Sequence, residues 1–161
     1  MMDKSSLLLL MLAANNGAPI IGKTRFMKLM YLLDLDLKKS NFDSYEFQRD
    51  SHGPYSLQIK KDLDALIKDG YVSYERREDD SRVLVDVYSI TTNGQSRLNN
   101  IFLQRDDISG ENTIEYIKDT SGNIKRQYND ASSYVLGKVI YSRPELRELQ
   151  KIIKKIKTDA P

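Results

Sequence analysis

The sequence has no cysteine, no tryptophan and a single histidine in 161 residues. Without cysteine there is no disulfide framework, no thiolate metal site and no thiol chemistry. The lone His52 leaves imidazole catalysis and histidine-rich metal sites without material, so neither a metal nor a cofactor is expected. Excess charge is also missing. Lys and Arg number 25 against 23 Asp and Glu, a formal +2, well short of a strongly basic nucleic-acid-binding domain. The apolar run over 7–14 is too short to span a bilayer. Asp3 and Lys4 cancel just before it, so no positive leader region forms. These absences describe a soluble, cytoplasmic, non-enzymatic protein without membrane contact, long enough for a core that needs no covalent staple.

What is present is organised around residues 53–94. Gly53 suits an N-cap and Pro54 the first helical position, where a missing N–H costs nothing. Ile59, Leu63, Leu66 and Ile67 then share one helical face, and Gly70 supplies the positive-φ stop. Residues 71–77 and 82–90 are β-branched and aromatic around the polar turn 78–81, which predicts a hairpin. Thr92 with Gln95 forms a capping box for the next helix. The expected fold is mostly α with a small antiparallel β-hairpin: a winged helix-turn-helix over residues 1–105 and a helical C-terminal extension over 106–161.

The flanks add helices. Residues 3–15 are apolar nearly all round and should be buried; residues 16–19 break that helix. A second helix runs from about 22 to 39, with Phe26, Leu29, Met30, Leu33 and Leu37 as its main stripe. Met27, Tyr31 and Leu35 form a further stripe roughly 120–140° away. Residues 40–52 read as a connector. In the second strand Val83, Val85 and Val87 form an outer face that needs cover. Beyond a boundary at 106–110 come a short helix at 111–118 and one carrying Ile124, Tyr128, Ala131 and Val135. A capping box at Ser142 and Glu145 then launches a final helix with Leu146, Leu149, Ile153 and Ile156 on one side and lysines on the other. Met27, Tyr31 and Leu35, with Leu146, Leu149, Ile153 and Ile156, are the expected faces of a homodimer.

Three motifs invite chemistry. Residues 17–24 satisfy the G-x-x-x-x-G-K-[ST] phosphate-loop spacing, but Pro19 removes a donor from the backbone cradle and Ile20 and Ile21 are bulky where small residues serve. The flanking pattern also lacks alternating strand and helix. The paired carboxylates at Asp34 and Asp36, Asp79 and Asp80, and Asp106 and Asp107 read as solvated surface. The exposed side of the 54–69 helix is the candidate DNA-reading face. There Gln58 and Lys61 are placed for base edges, Lys60 and Ser56 for phosphates, with Tyr55 beside them and Arg76, Arg77 and Arg82 on the hairpin. Asp64 and Leu57 fit that role poorly. Over 54–105 basic and acidic side chains balance, eight of each.

The segments Lys23-Thr-Arg-Phe-Met-Lys28-Leu-Met-Tyr-Leu-Leu33, His52-Gly-Pro-Tyr-Ser56 and Asp64-Ala-Leu-Ile-Lys-Asp-Gly70-Tyr-Val72 resemble a prokaryotic set. It includes the Panacea antitoxin domain and YwgA-like proteins, and the resemblance covers about residues 6–98. Tyr88-Ser-Ile-Thr-Thr-Asn-Gly94 is similar to the close of the wing in PadR-type regulators. Tyr134-Val135 and Tyr141-Ser-Arg-Pro144 are similar to the helical end of YwgA-like members. The resemblance implies a winged helix without catalysis, acting on double-stranded DNA as PadR-type proteins do or on a toxin as Panacea domains do. The favoured expectation is a DNA-binding transcriptional regulator; the alternative is an antitoxin-like or adaptor module that binds protein.

Overall fold

A computed structural model describes residues 3–39, 44–103 and 111–144. Helix α1 (Lys4–Gly17) begins where the Asp3 carboxylate accepts the Ser6 N–H, and Ser6 to Leu12 are buried without interruption. Its helical backbone stops before Ala14; Asn15 and Asn16 turn left-handed (φ 54° and 56°), a conformation asparagine tolerates. A two-residue strand β1 (Ile20–Ile21) follows, then α2 (Lys23–Lys38).

Both stripes of α2 are buried, and Met27, Tyr31 and Leu35 are at most 5% exposed. The expectation that they form a free dimer face is corrected here: the same chain covers them. The connector folds back so that Phe47 packs edge-on against Tyr31, ring centroids 5.3 Å apart, and β3 (Gly53–Tyr55), α5 (Glu111–Tyr128) and α6 (Ser133–Tyr141) all pack on α2. Asp34 is also interior rather than solvated. It accepts from the Ser44 hydroxyl and lies 3.1 Å from Lys38 Nζ.

Gly53 and Pro54 do not start a helix. They form strand β3 (Gly53–Tyr55), antiparallel to β2 (Gln48–Asp50), with Pro54 opposite Arg49. A two-stranded ribbon is all edge, so it accepts a residue without an N–H. His52 lies in the turn between these strands, its N–H donated to Asp50, not at a helix start. The N-cap of α3 (Leu57–Lys68) is Ser56, whose hydroxyl accepts the Ile59 N–H at 3.3 Å. The helix ends as its glycine predicts: Gly70 has φ +84°, and the Tyr71 N–H reaches back to the Leu66 carbonyl at 2.9 Å.

Strands β4 (Val72–Glu78) and β5 (Leu84–Ile90) form the expected hairpin, and β1 adds to it in the antiparallel order β1-β5-β4. At the tip the Asp79 carboxylate accepts the N–H groups of Ser81 and Val83. Val87 is covered, whereas Val83 at the tip stays exposed. Helix α4 (Thr92–Leu103) is capped one residue earlier than the capping box places it. Thr91 Oγ1 accepts the Gly94 N–H and donates to the Gly70 carbonyl, so one hydroxyl ties the end of α3 to the start of α4.

Residues 111–128 make one helix, α5 (Glu111–Tyr128), where two were expected, followed by α6 (Ser133–Tyr141) capped by Ser132. Ser121 and Gly122, which fall between the two expected helices, are buried within a single helix that packs along α1. Ile117, Ile124, Leu136 and Ile140 join the same core as α1 and α2. Polar keys hold α5 in place. Lys125 Nζ donates to the carbonyls of Leu12 and Ala14, both at 2.7 Å, where α1 runs out of helical partners. Arg25 donates to the carbonyls of Tyr128 and Asn129, and Asn129 donates to the Pro19 carbonyl. Ser142 ends α6 as its C-cap. The boundary at 106–110 and the last helix, with Leu146, Leu149, Ile153 and Ile156, lie outside the described residues. Six helices, a small three-stranded antiparallel sheet and a two-stranded ribbon thus make a mostly helical fold among the described residues.

Candidate interaction surface

Amphipathic spacing decides what α3 shows to solvent. Ile59, Leu63 and Leu66 face the core, while Leu57, Gln58, Lys61, Asp64, Ala65 and Lys68 are exposed. The β4–β5 register sets Tyr74 opposite Tyr88 and Arg76 opposite Asp86. The period of two then puts all four on one face of the sheet.

Between that face, α3 and the start of α2 lies a groove of about 290 Å³ lined by Lys23, Asp64, Ile67, Tyr74, Asp86 and Tyr88. The two tyrosine rings meet at 5.4 Å between centroids, and the Tyr74 hydroxyl donates to Asp86 at 2.6 Å. That bond raises the Tyr74 pKa; burial does the same for Tyr88. Two large apolar side chains on the same elements are exposed: Leu57 on α3 at 51%, and Leu84, on the Asp86 side of β5, at 58%.

Of the residues expected to hold DNA, the structure exposes Gln58, Lys61, Arg76, Arg77 and Arg82 and leaves Lys60 half-buried. Ser56 is a correction: it is buried and its hydroxyl is used as the helix cap, so it is not available to a phosphate. Tyr55 is half-buried in β3. Arg76 Nε lies 4.0 Å from Asp86 and Arg77 Nη1 3.8 Å from Glu75, so two of the three arginines already face carboxylates of their own hairpin. The motif reading weighs Lys23 only within the phosphate-loop pattern and does not place Tyr74 or Asp86 in an interaction surface, yet all three line the groove. Their signal was available: once the hairpin is recognised, residues 74, 76, 86 and 88 must share a face.

No family model matches the chain, and no curated protein matches it. The arrangement of side chains therefore carries the argument. The phosphate-loop pattern does not form a cradle, because the Gly22 N–H is donated to the Asp86 carbonyl at 2.7 Å and Ile20 and Ile21 pair with Tyr88 and Val87. Among the described residues no cluster of His, Asp and Glu is placed to hold a metal, and no helix is long and apolar enough to cross a membrane.

Proposed function

We propose that this chain is a non-catalytic winged-helix module whose α3 helix and β4–β5 hairpin bind another protein. The order helix, short strand, two helices and hairpin, with the short strand added to the hairpin, supports the winged-helix reading. Fold alone does not choose the partner. The observation that carries the choice is the chemistry of the α3–hairpin face. It combines exposed Leu57, Tyr74 and Leu84 with an arginine, Arg76, that sits beside Asp86 of the same face. A phosphate backbone rewards net positive charge, which this face lacks. A protein interface rewards an apolar centre within a mixed polar rim.

The groove narrows the partner further. Two tyrosine rings and the carboxylates of Asp64 and Asp86, against the single amine of Lys23, suit an arginine side chain. Its plane stacks on an aromatic ring while its fork reaches a carboxylate. The partner segment is accordingly one with an arginine flanked by apolar residues, as in an antitoxin-like or adaptor contact.

A second reading, a DNA-binding regulator, rests on Gln58, Lys60 and Lys61 near the capped start of α3. Titrating random duplex DNA over a range of salt separates the two. The protein reading expects little affinity even at low salt and no steep slope. A steep fall of log K with log salt, made shallower by replacing Lys60 and Lys61 with Ala, overturns it in favour of DNA.

A further inference from the structure

The hairpin has one open side. Strand β4 stands at the edge of the order β1-β5-β4, and every residue of it after Val72 is exposed. Bonds at both ends of the hairpin fix which main-chain groups of β4 are spent. The Thr91 N–H donates to the Tyr71 carbonyl at 3.1 Å, and the Asp79 N–H to the Val83 carbonyl at 2.8 Å. Bonded pairs alternate along an antiparallel ladder, and the register sets Ser73 opposite Ser89, Glu75 opposite Val87 and Arg77 opposite Val85. Ser73, Glu75 and Arg77 are therefore the residues that bond β5. The far side of β5 agrees, since Asp86 gives its carbonyl to the Gly22 N–H beyond β1. Tyr74, Arg76 and Glu78 accordingly aim their N–H and C=O groups away from the sheet. No other main-chain group bonds them among the described residues.

Such an edge is a template for a further strand, and its side chains select which one. Glu75 and Arg77 share one face, with Arg77 Nη1 3.8 Å from the Glu75 carboxylate. Antiparallel pairing of β4 with a copy of itself must match outward-aimed residues with outward-aimed residues. Its registers therefore differ in steps of two residues. With Arg76 opposite Arg76, Glu75 falls opposite Arg77 of the copy, Arg77 opposite Glu75, and Tyr74 opposite Glu78. One step either way sets Glu75 against Glu75 or Arg77 against Arg77. Opposite charges across a strand pair are favourable and like charges unfavourable. The two Arg76 side chains would meet as a hydrogen-bonded pair, the more widely spaced kind, and each has Asp86 at 4.0 Å. Hydrogen-bond parity and charge thus agree on a single register.

We propose that the free edge of β4 binds a second copy of this chain, antiparallel about Arg76, so that the two sheets become one across a two-fold axis. The same charges that pair the copy repel it in the neighbouring registers, which keeps the edge from slipping. An antiparallel pair keeps equivalent faces on one side, so both α3–hairpin grooves open in the same direction. The pairing does not depend on what those grooves bind.

The test is sedimentation equilibrium of the full chain up to millimolar concentration. Wild type should pass from monomer to dimer as it is concentrated. Glu75→Arg and Arg77→Glu, both on exposed side chains, each turn two cross-strand attractions into repulsions. Each should raise the dimer Kd about tenfold or more. An equal mixture of the two variants should associate about as tightly as wild type, because every charge then meets its opposite across the edge. General attraction does not give that result: the chain is formally +2, and Arg77→Glu only cancels this. Arg76→Pro removes an N–H that β5 does not use, so the variant should keep its far-UV circular dichroism and lose the dimer. A wild type that stays monomeric at every concentration would overturn the proposal. So would charge variants that dimerise as wild type does, a mixture that stays monomeric, or full dimerisation of a folded Arg76→Pro.

Discussion

Lys125 provides the sharpest quantitative test of how the helical end is fastened to the rest. Its side chain is completely buried, and desolvation lowers its pKa from 10.5 to about 8. A lowered amine pKa means that the folded state releases its proton first. Between about pH 8 and 10.5 the unfolded chain therefore holds more protons, and stability rises with pH across that window. Below it both states are charged and the full penalty applies. Each decade is worth about 1.4 kcal/mol, so charging the buried amine costs up to about 3 kcal/mol, less whatever the Leu12 and Ala14 carbonyls return. The tyrosines act in the opposite sense. Burial raises Tyr45 and Tyr88 above 10, so ionising them in the unfolded chain lowers stability above about pH 10. Urea unfolding at fixed ionic strength should accordingly show wild type gaining about 1–2 kcal/mol from pH 7.5 to 9.5, then losing stability. Lys125→Met should remove most of that gain. A flat wild-type profile, or an unchanged slope in Lys125→Met, would refute the buried-amine account.

Further expectations follow from the caps and turns, each read by urea unfolding. Ser56→Ala should cost about 1 kcal/mol through the lost N-cap of α3; a neutral result would mean that the cap is supplied elsewhere. Gly70→Ala, with positive φ and open space around it, should cost about 1 kcal/mol from backbone strain alone. Gly94→Ala should cost more, about 2 kcal/mol or above, because its Cβ would overlap the Tyr71 carbonyl and press on Ile90; an equal cost for the two would contradict the packing at the α4 start. Lys23→Ala should leave stability nearly unchanged and reveal no lost nucleotide binding, and micromolar ATP or GTP affinity in wild type would reverse the reading of residues 17–24.

Much of the fold was legible because local rules act locally. The Gly70 stop, the β4–β5 hairpin and the all-round burial of α1 each depend on residues close in sequence. The departures come from partners far along the chain. Gly53-Pro54 carries a helix-start signal, yet the returning strand Gln48–Asp50 claims it for a ribbon. The two helices expected over 111–135 join into one because α5 packs along α1, a partner about a hundred residues away. The stripe Met27, Tyr31 and Leu35 looks free only while the folding-back of Phe47 and the packing of β3, α5 and α6 on α2 are unknown. Lys125 had no signal at all, since a lysine mid-helix reads as surface. On the α3–hairpin face, residue identities were visible, including the misfit of Leu57 and Asp64 with DNA. The groove was not, because it needs strand register and helix placement together.

The central claim is that this face reads a protein segment, and selecting a displayed random-peptide library against the full chain tests it most directly. The selection is counter-screened against a Leu57→Asp, Asp64→Lys variant whose unfolding matches wild type. Enriched peptides should carry an arginine flanked by apolar residues, and they should lose binding to the variant. No enrichment, or peptides that bind variant and wild type equally well, would contradict the account.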